Sequence, residues 1–158
     1  MFTLFHRQWL VGKLHMRSWL SIVTSQRYKS WCGHAFEVVA WNHARYIADA
    51  LGLSRNDYFV TRANLENQEG KAQIDLLIDV TGGAVYLLEL KCCDDPFVMS
   101  ANEAVRLLQS RRVLTAHYKG KRSVIVCLLA AGGAQANGHL REAVDLTLDL
   151  NTLFPAAE

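Results

Sequence analysis

The order of patterns along these 158 residues predicts an α/β fold, a mixed central sheet of four to five strands flanked by helices. Two observations carry the prediction. The first is a pair of apolar runs, Gln73-Ile74-Asp75-Leu76-Leu77-Ile78-Asp79 and Leu87-Leu88-Glu89-Leu90-Lys91, separated by the tight-turn residues Thr81-Gly82-Gly83. The second is a long helical period before this hairpin and another after it, each with a sheet face to cover.

The first thirty residues read as one or two short amphipathic helices, with Trp9, Leu10, Leu14, Trp19 and Leu20 forming an apolar pattern that packs on something. A long helix over 30–51 follows, where Phe36, Val39, Ala40, His43, Ala44 and Ile47 recur at helical spacing before Gly52 stops it. Residues 57–63 read as a strand, 64–70 as a polar loop without hydrophobic pattern, and 72–91 as the hairpin. A loop with Pro96 leads to Ser100-Ala101-Asn102-Glu103, a capping box that opens a second long helix to about Tyr118. Residues 123–131 form a fully buried strand, 132–138 a loop of small residues, and 145–150 a last strand. The organisation is thus an N-terminal helical segment over 1–29 packing on a domain over 30–158.

About half of the residues are apolar and a fifth charged, which places the chain among ordinary globular proteins. The net charge of +2 is too small to argue nucleic-acid binding by itself. Arg106, Arg111, Arg112, Lys119, Lys121 and Arg122 crowd one region, for which a solvated helix face with a basic loop is the default reading. Cys32, Cys92, Cys93 and Cys127 lack metal-ligand spacing and read as reduced thiols in a cytosolic protein. No apolar run approaches the roughly 18 residues of a membrane span, and the charges among residues 1–19 are unlike a secretory signal.

Charged residues inside the hairpin stand in an unusual place. If Val80 pairs with Ala84, counting back along the ladder sets Asp75 opposite Glu89 and Gln73 opposite Lys91, all four on one face. Like charges across a sheet repel, and a buried carboxylate pair persists only beside something positive, such as a divalent cation. A three-residue turn often carries a bulge that shifts pairing, yet alternation keeps Glu89 and Lys91 together. The other face, with Ile74, Leu76 and Ile78 against Tyr86, Leu88 and Leu90, is apolar and needs a covering layer. Glu37 lies near the start of the first long helix, beside its apolar stripe, where it can look inward at the sheet.

These residues also admit plainer readings. Asp75 and Lys91 fit an ion pair at a sheet edge with Glu89 solvated, and Glu37 fits a first-turn residue favoured by the helix dipole. Asp79 reads as a turn residue, Arg106, Gln109 and Arg111 as helix surface, and Trp31 and Trp41 as core. His34, His43 and His117 lack a ligand constellation.

Four blocks in order carry a resemblance: Trp31-Cys32-Gly33-His34-Ala35-Phe36-Glu37, then Ala72 to Asp79, then Leu88-Glu89-Leu90-Lys91, and last Val144 to Phe154 with Thr147-Leu148-Asp149-Leu150-Asn151-Thr152-Leu153-Phe154. Together they resemble the C-terminal domain of a group of prokaryotic AAA-type ATPases, a domain of the PD-(D/E)XK nuclease superfamily. The resemblance covers nearly the whole chain, with Ile74 where the superfamily's name has proline. It implies a restriction-endonuclease-like core in α-β-β-β-α-β order with extra N-terminal helices. No Gly-x-x-x-x-Gly-Lys-Ser/Thr loop occurs, so the chain does not hold ATP in the P-loop manner. The resembling proteins carry an ATPase module and a winged-helix-like segment first, and Phe2 to Trp19 resembles the end of that region. The expectation is a split, truncated or excised nuclease-like domain in the cytoplasm, meeting an ATPase partner or a second copy through its apolar segment.

The resemblance also implies a chemistry, metal-dependent hydrolysis of phosphodiester bonds in nucleic acid, expected to be DNA. Asp75 and Glu89 would ligate a cation, with the Leu90 carbonyl as a third oxygen and Glu37 completing the shell directly or through water. A site of few oxygen ligands suits Mg2+, or Mn2+ in its place. Lys91 would orient or activate the attacking water and stabilise developing charge, while Gln73 would hydrogen-bond that water or a phosphate oxygen. Two other functions fit: a catalytically idle regulatory or interaction module of a split or truncated ATPase, and a nucleic-acid binder that does not cleave.

Overall fold

The computed structural model describes residues 23–154. The tryptophans Trp9 and Trp19, most of the helical segment expected over 1–29 and any partner surface there lie outside the described residues. Helix α1 (Gln26–Asn42) is capped by Ser25, whose hydroxyl accepts the Tyr28 amide at 3.2 Å, so it starts before the expected residue 30. It also ends sooner. His43 leaves helical geometry, its ring Nδ1 lies 2.9 Å from the Val39 carbonyl, and a separate helix α2 (Ala44–Ala50) follows. Gly52, at φ +75°, ends α2 as expected.

Strands β1 (Tyr58–Asn67), β2 (Gly70–Val80) and β3 (Val85–Lys91) form an antiparallel meander. The polar loop expected over 64–70 is mostly strand, because Asn64 to Asn67 pair with Gly70 to Gln73 and only Gln68 and Glu69 turn. A polar stretch without alternation still extends a ladder when its partner strand is available, and Asn67 anchors this one by donating to the Val113 carbonyl at 2.9 Å. Helix α3 (Ala101–His117) then crosses back to β4 (Val124–Ala130), parallel to β3. A short helix α4 (Gly138–Ala143), absent from the sequence expectation, is capped by Asn137 and leads to β5 (Leu146–Leu148), parallel to β4 and shorter than the strand expected over 145–150. The sheet order is β1-β2-β3-β4-β5. This is a mixed five-stranded α/β sheet flanked by helices, with the α-β-β-β-α-β order of a restriction-endonuclease-like core.

Both faces of the sheet are covered. Leu76, Ile78, Leu88 and Leu129 pack with Phe36, Ala40 and Ile47 of α1 and α2, whereas Leu77, Leu87, Val126 and Leu128 pack with Leu107 and Leu114 of α3. The expected division of the hairpin into one apolar and one functional face therefore needs correction. Residues 77, 85 and 87 bury the second face as well, and the hairpin's partly buried charged residues stand at its two ends, Asp79 near the turn and Asp75, Glu89 and Lys91 at the other.

That end is where regular pairing fails. Between the pairs Thr61–Leu77 and Ala63–Ile74 the register shifts, so Asp75 and Leu76 together face Arg62 in a β-bulge. The extra residue turns Ile74 onto the α3 side with Leu77, away from Leu76 and Ile78. On the other side of β2, the Val80–Ala84 contact and the pairs Asp79–Val85 to Leu76–Leu88 follow the expected register. The ladder then stops, and neither the Asp75–Glu89 nor the Gln73–Lys91 pair is part of it.

Candidate active site

A strand that runs out of backbone partners must satisfy its amides some other way, and β3 does so with a side chain. Val85 bonds β4 through Ser123, and the Lys91 carbonyl bonds Ala131, so alternation turns the amide and carbonyl of Leu90 toward β2. There the Leu90 N–H donates to Asp75 Oδ2 at 3.1 Å. The carboxylate stands where a backbone carbonyl would continue the ladder, and the Leu90 carbonyl is turned to the same side.

Asp75 is more than half buried, and its carboxyl is pushed up to about 6. Burial is the main cause; the charge of Glu89 adds to it, the Leu90 amide opposes it, and Glu37 and Lys91 act more weakly in opposite directions. Glu37, Glu89 and Lys91 thus each lie within electrostatic reach of Asp75. Glu89 and Lys91 follow Leu87 on the α3 face, and their side chains meet, Lys91 Nζ to Glu89 Oε1 at 2.9 Å. Burial would lower the Lys91 amine, but Glu89 and then Glu103 more than reverse that, so its pKa stands above the ordinary value and it is a cation at neutral pH.

Glu37 faces the site from α1, partly buried, with Arg62 Nη1 3.5 Å from one carboxylate oxygen and His34 Nδ1 3.5 Å from the other. It is not simply a solvated first-turn residue, since the helix begins eleven residues earlier, at Gln26. Gln73 is exposed, and the pairing with Lys91 assigned by ladder counting is not part of the ladder. Gln73 lines a groove of about 350 Å³ between β2 and α3, together with Lys71, Glu89, Glu103, Arg106 and Gln109. Gln109 is held there by donating to the Glu69 carbonyl.

Two participants went unread in the sequence. Glu103, taken only as a helix cap, brings Oε1 to 3.4 Å from Lys91 Nζ. Burial alone would raise its carboxyl, but the Ser100 hydroxyl and amide, and then Lys91, hold it below the ordinary value. The sequence signal existed: a helix covering the face of Glu89 and Lys91 must start near the end of β3, and its third residue is acidic. The second participant is Arg62, opposite the bulge. Its guanidinium lies 5.7 Å from the Trp41 ring centre, and Trp41 is exposed rather than core.

Other singled-out residues have structural duties. Arg122 Nη2 donates to Asp79 at 2.8 Å and to the carbonyls of Val80 and Ala84, its Nε donates to Gly83, and Tyr118 Oη donates to Asp79 at 2.6 Å. Arg111 binds the Val124 carbonyl and Asp145. Of the basic crowd only Arg106, Arg112, Lys119 and Lys121 are exposed. The four cysteines are free thiols; Cys127 is in the core, where burial pushes it up to about 12.

The Asp75 carboxyl is raised first by burial and then by the charge of Glu89, and carboxylate and carbonyl oxygens are the donors a hard cation takes. Among the described residues, no group of three or more His, Cys, Asp or Glu is gathered closely enough to hold a metal by itself. Among the described residues no helix is long and apolar enough to cross a membrane.

No family model matches the chain, and no curated protein matches it. Among solved structures, a protein of unknown function, AF1548, superposes with a TM-score of 0.49 at 15% identity, over 72% of this chain and 58% of that one. A complex of EndoMS with double-stranded DNA superposes with a TM-score of 0.37 at 18% identity, over 68% of this chain and 43% of that one. The chain spans about half the length of the solved structures it matches.

Proposed function

We propose that this domain is a metal-dependent nuclease of the PD-(D/E)XK kind, hydrolysing phosphodiester bonds in nucleic acid, with DNA as the expected substrate. The observation that carries the reading is Asp75: a carboxylate in a bulge, taking the Leu90 amide where the ladder ends, with the charges of Glu89, Glu37 and Lys91 acting on it. A fold that wanted only stability would place an apolar residue there, since a half-buried like-charge pair costs free energy in any ion-free state.

In this reading Asp75 and Glu89 hold Mg2+ or Mn2+ with the Leu90 carbonyl, and Glu37 completes the shell directly or through water. The bound cation supplies Lewis acidity at the phosphoryl group and makes a neighbouring water easier to deprotonate. Lys91, held as a cation by carboxylates, donates hydrogen bonds to the attacking water or to a phosphoryl oxygen and offsets charge that develops there. Gln73, which lines a groove together with Glu89, would hydrogen-bond that water or a phosphate oxygen.

Incubating the protein with plasmid and Mg2+ or Mn2+ tests this directly. Cleavage by the wild type, with rates at least ~100-fold lower for Glu89→Ala and Lys91→Ala, is the expected result; equal rates in all three would place the activity elsewhere. A second reading, the catalytically idle module, is favoured by the ion pairs themselves. Lys91 already serves Glu89 and Glu103, and Arg62 already serves Glu37. That reading predicts a folded protein that binds no divalent cation at Asp75.

A further inference from the structure

We infer that Glu103 is a positioning residue, which keeps the Lys91 ammonium at the site when Glu89 turns to a cation. The inference rests on the nuclease reading above. Lys91 Nζ lies between two carboxylates, 2.9 Å from Glu89 and 3.4 Å from Glu103, and 5.4 Å from the Phe97 ring centre. Glu89 has competing duties, because an oxygen that ligates a dication is a poor partner for an ammonium. Glu103 has no such conflict. Its Oε2 accepts from the Ser100 amide at 3.0 Å and from the Ser100 hydroxyl at 2.7 Å, which leaves Oε1 for Lys91.

Position and charge agree with this role. The capping box and the first turn of α3 fix Glu103 on the helix that covers the face of Glu89 and Lys91, and the positive end of the helix dipole holds its carboxylate in place. Lysine is a flexible four-carbon stem. Without Glu103, recruitment of Glu89 to a dication would leave an ammonium with only Phe97 beside it and a like charge nearby, and the side chain would leave for solvent.

A role confined to capping makes a different prediction, and nitrogen-15 NMR of the lysine ammonium groups separates the two. The Lys91 resonance is assigned by its absence in Lys91→Arg. Glu103→Gln keeps a capping box, since glutamine at that position also reaches the N-cap amide, but it removes the charge. In the metal-free protein, Glu89→Gln should retain the Lys91 ammonium resonance, and adding Glu103→Gln to it should abolish the resonance through solvent exchange. With saturating Mg2+, the wild type should retain the resonance and Glu103→Gln should lose it. Loss in the metal-free Glu89→Gln protein, loss in Mg2+-saturated wild type, or retention in Mg2+-saturated Glu103→Gln would each overturn the inference. The Leu90 amide, bonded to Asp75, reports separately on the site. If Mg2+ leaves its shift unchanged, the nuclease reading fails and the Mg2+ role of Glu103 falls with it, whereas a shifted Leu90 with a Lys91 signal indifferent to Glu103→Gln sinks the inference alone.

Discussion

Asp75 concentrates the physics of this molecule in one side chain. Its native carboxyl holds a proton up to about pH 6, while an unfolded one releases it near pH 4. The native state therefore binds more protons across that window, and stability of the metal-free protein falls as pH rises through it. Asp75→Asn keeps an acceptor for the Leu90 amide and removes the charge. It should raise metal-free stability at pH 7 by about 2 kcal/mol, with the gain vanishing near pH 4. Urea unfolding of both proteins at the two pH values checks this, and a gain that is constant with pH would mean that the charge is not the cause. The same proton must leave before a cation enters, so Mn2+ affinity should fall as pH drops below about 6.

Residue types and spacing made Glu37, Asp75, Glu89 and Lys91 legible, because acids do not enter apolar strand and helix stripes without a reason. The end of the β2–β3 ladder at Leu76–Leu88, before the Gln73–Lys91 pair, was not legible, because no turn rule locates the nearby bulge from the sequence. Glu103 was hidden by its own second duty, since a capping box already explained a glutamate there.

At the scale of elements, the hairpin turn Thr81-Gly82-Gly83 is fixed less by its own residues than by Arg122, which donates to three of the carbonyls around it and to Asp79. Removing the guanidinium would leave a half-buried carboxylate and those carbonyls short of donors. Arg122→Met should cost about 2–4 kcal/mol in chemical denaturation while leaving metal affinity unchanged. A neutral effect on stability would assign Arg122 to the surface, the reading its neighbours Lys119 and Lys121 deserve by exposure. The helices around 30–51 and 100–118 and the strands 72–91 and 123–131 were legible from apolar patterning together with the Gly52 stop, the Ser100–Glu103 capping box and the Thr81-Gly82-Gly83 turn. The break at His43 was not, because a side chain rather than the period ends α1, and the strand over Asn64 to Asn67 was not, because a ladder partner makes it.

Across the whole molecule, β2, β3 and β4 are sealed between two helical layers, and Leu88 and Leu128 are fully buried on opposite faces. Either Leu→Ala change should cost roughly 2–5 kcal/mol, measured by thermal or chemical unfolding. Leu88→Ala should also weaken cation binding, since Leu88 sits at the last ladder pair before the site opens, and Leu128→Ala should not. Equal effects on binding would mean that the site is insensitive to the core that frames it. Mixed-sheet architecture and its two covering helices followed from the order of patterns, but the assignment of hairpin residues to each face did not, because alternation in Asp75 to Asp79 is broken by Leu76-Leu77-Ile78, a run that reads equally as one face or two.

Calorimetric titration of Mn2+ into wild type and Asp75→Ala at pH 7.5 decides whether Asp75 holds a cation. Saturable binding by the wild type, weakened at least ~10-fold in Asp75→Ala, is the predicted result. Binding of equal strength in both proteins, or in neither, would contradict it.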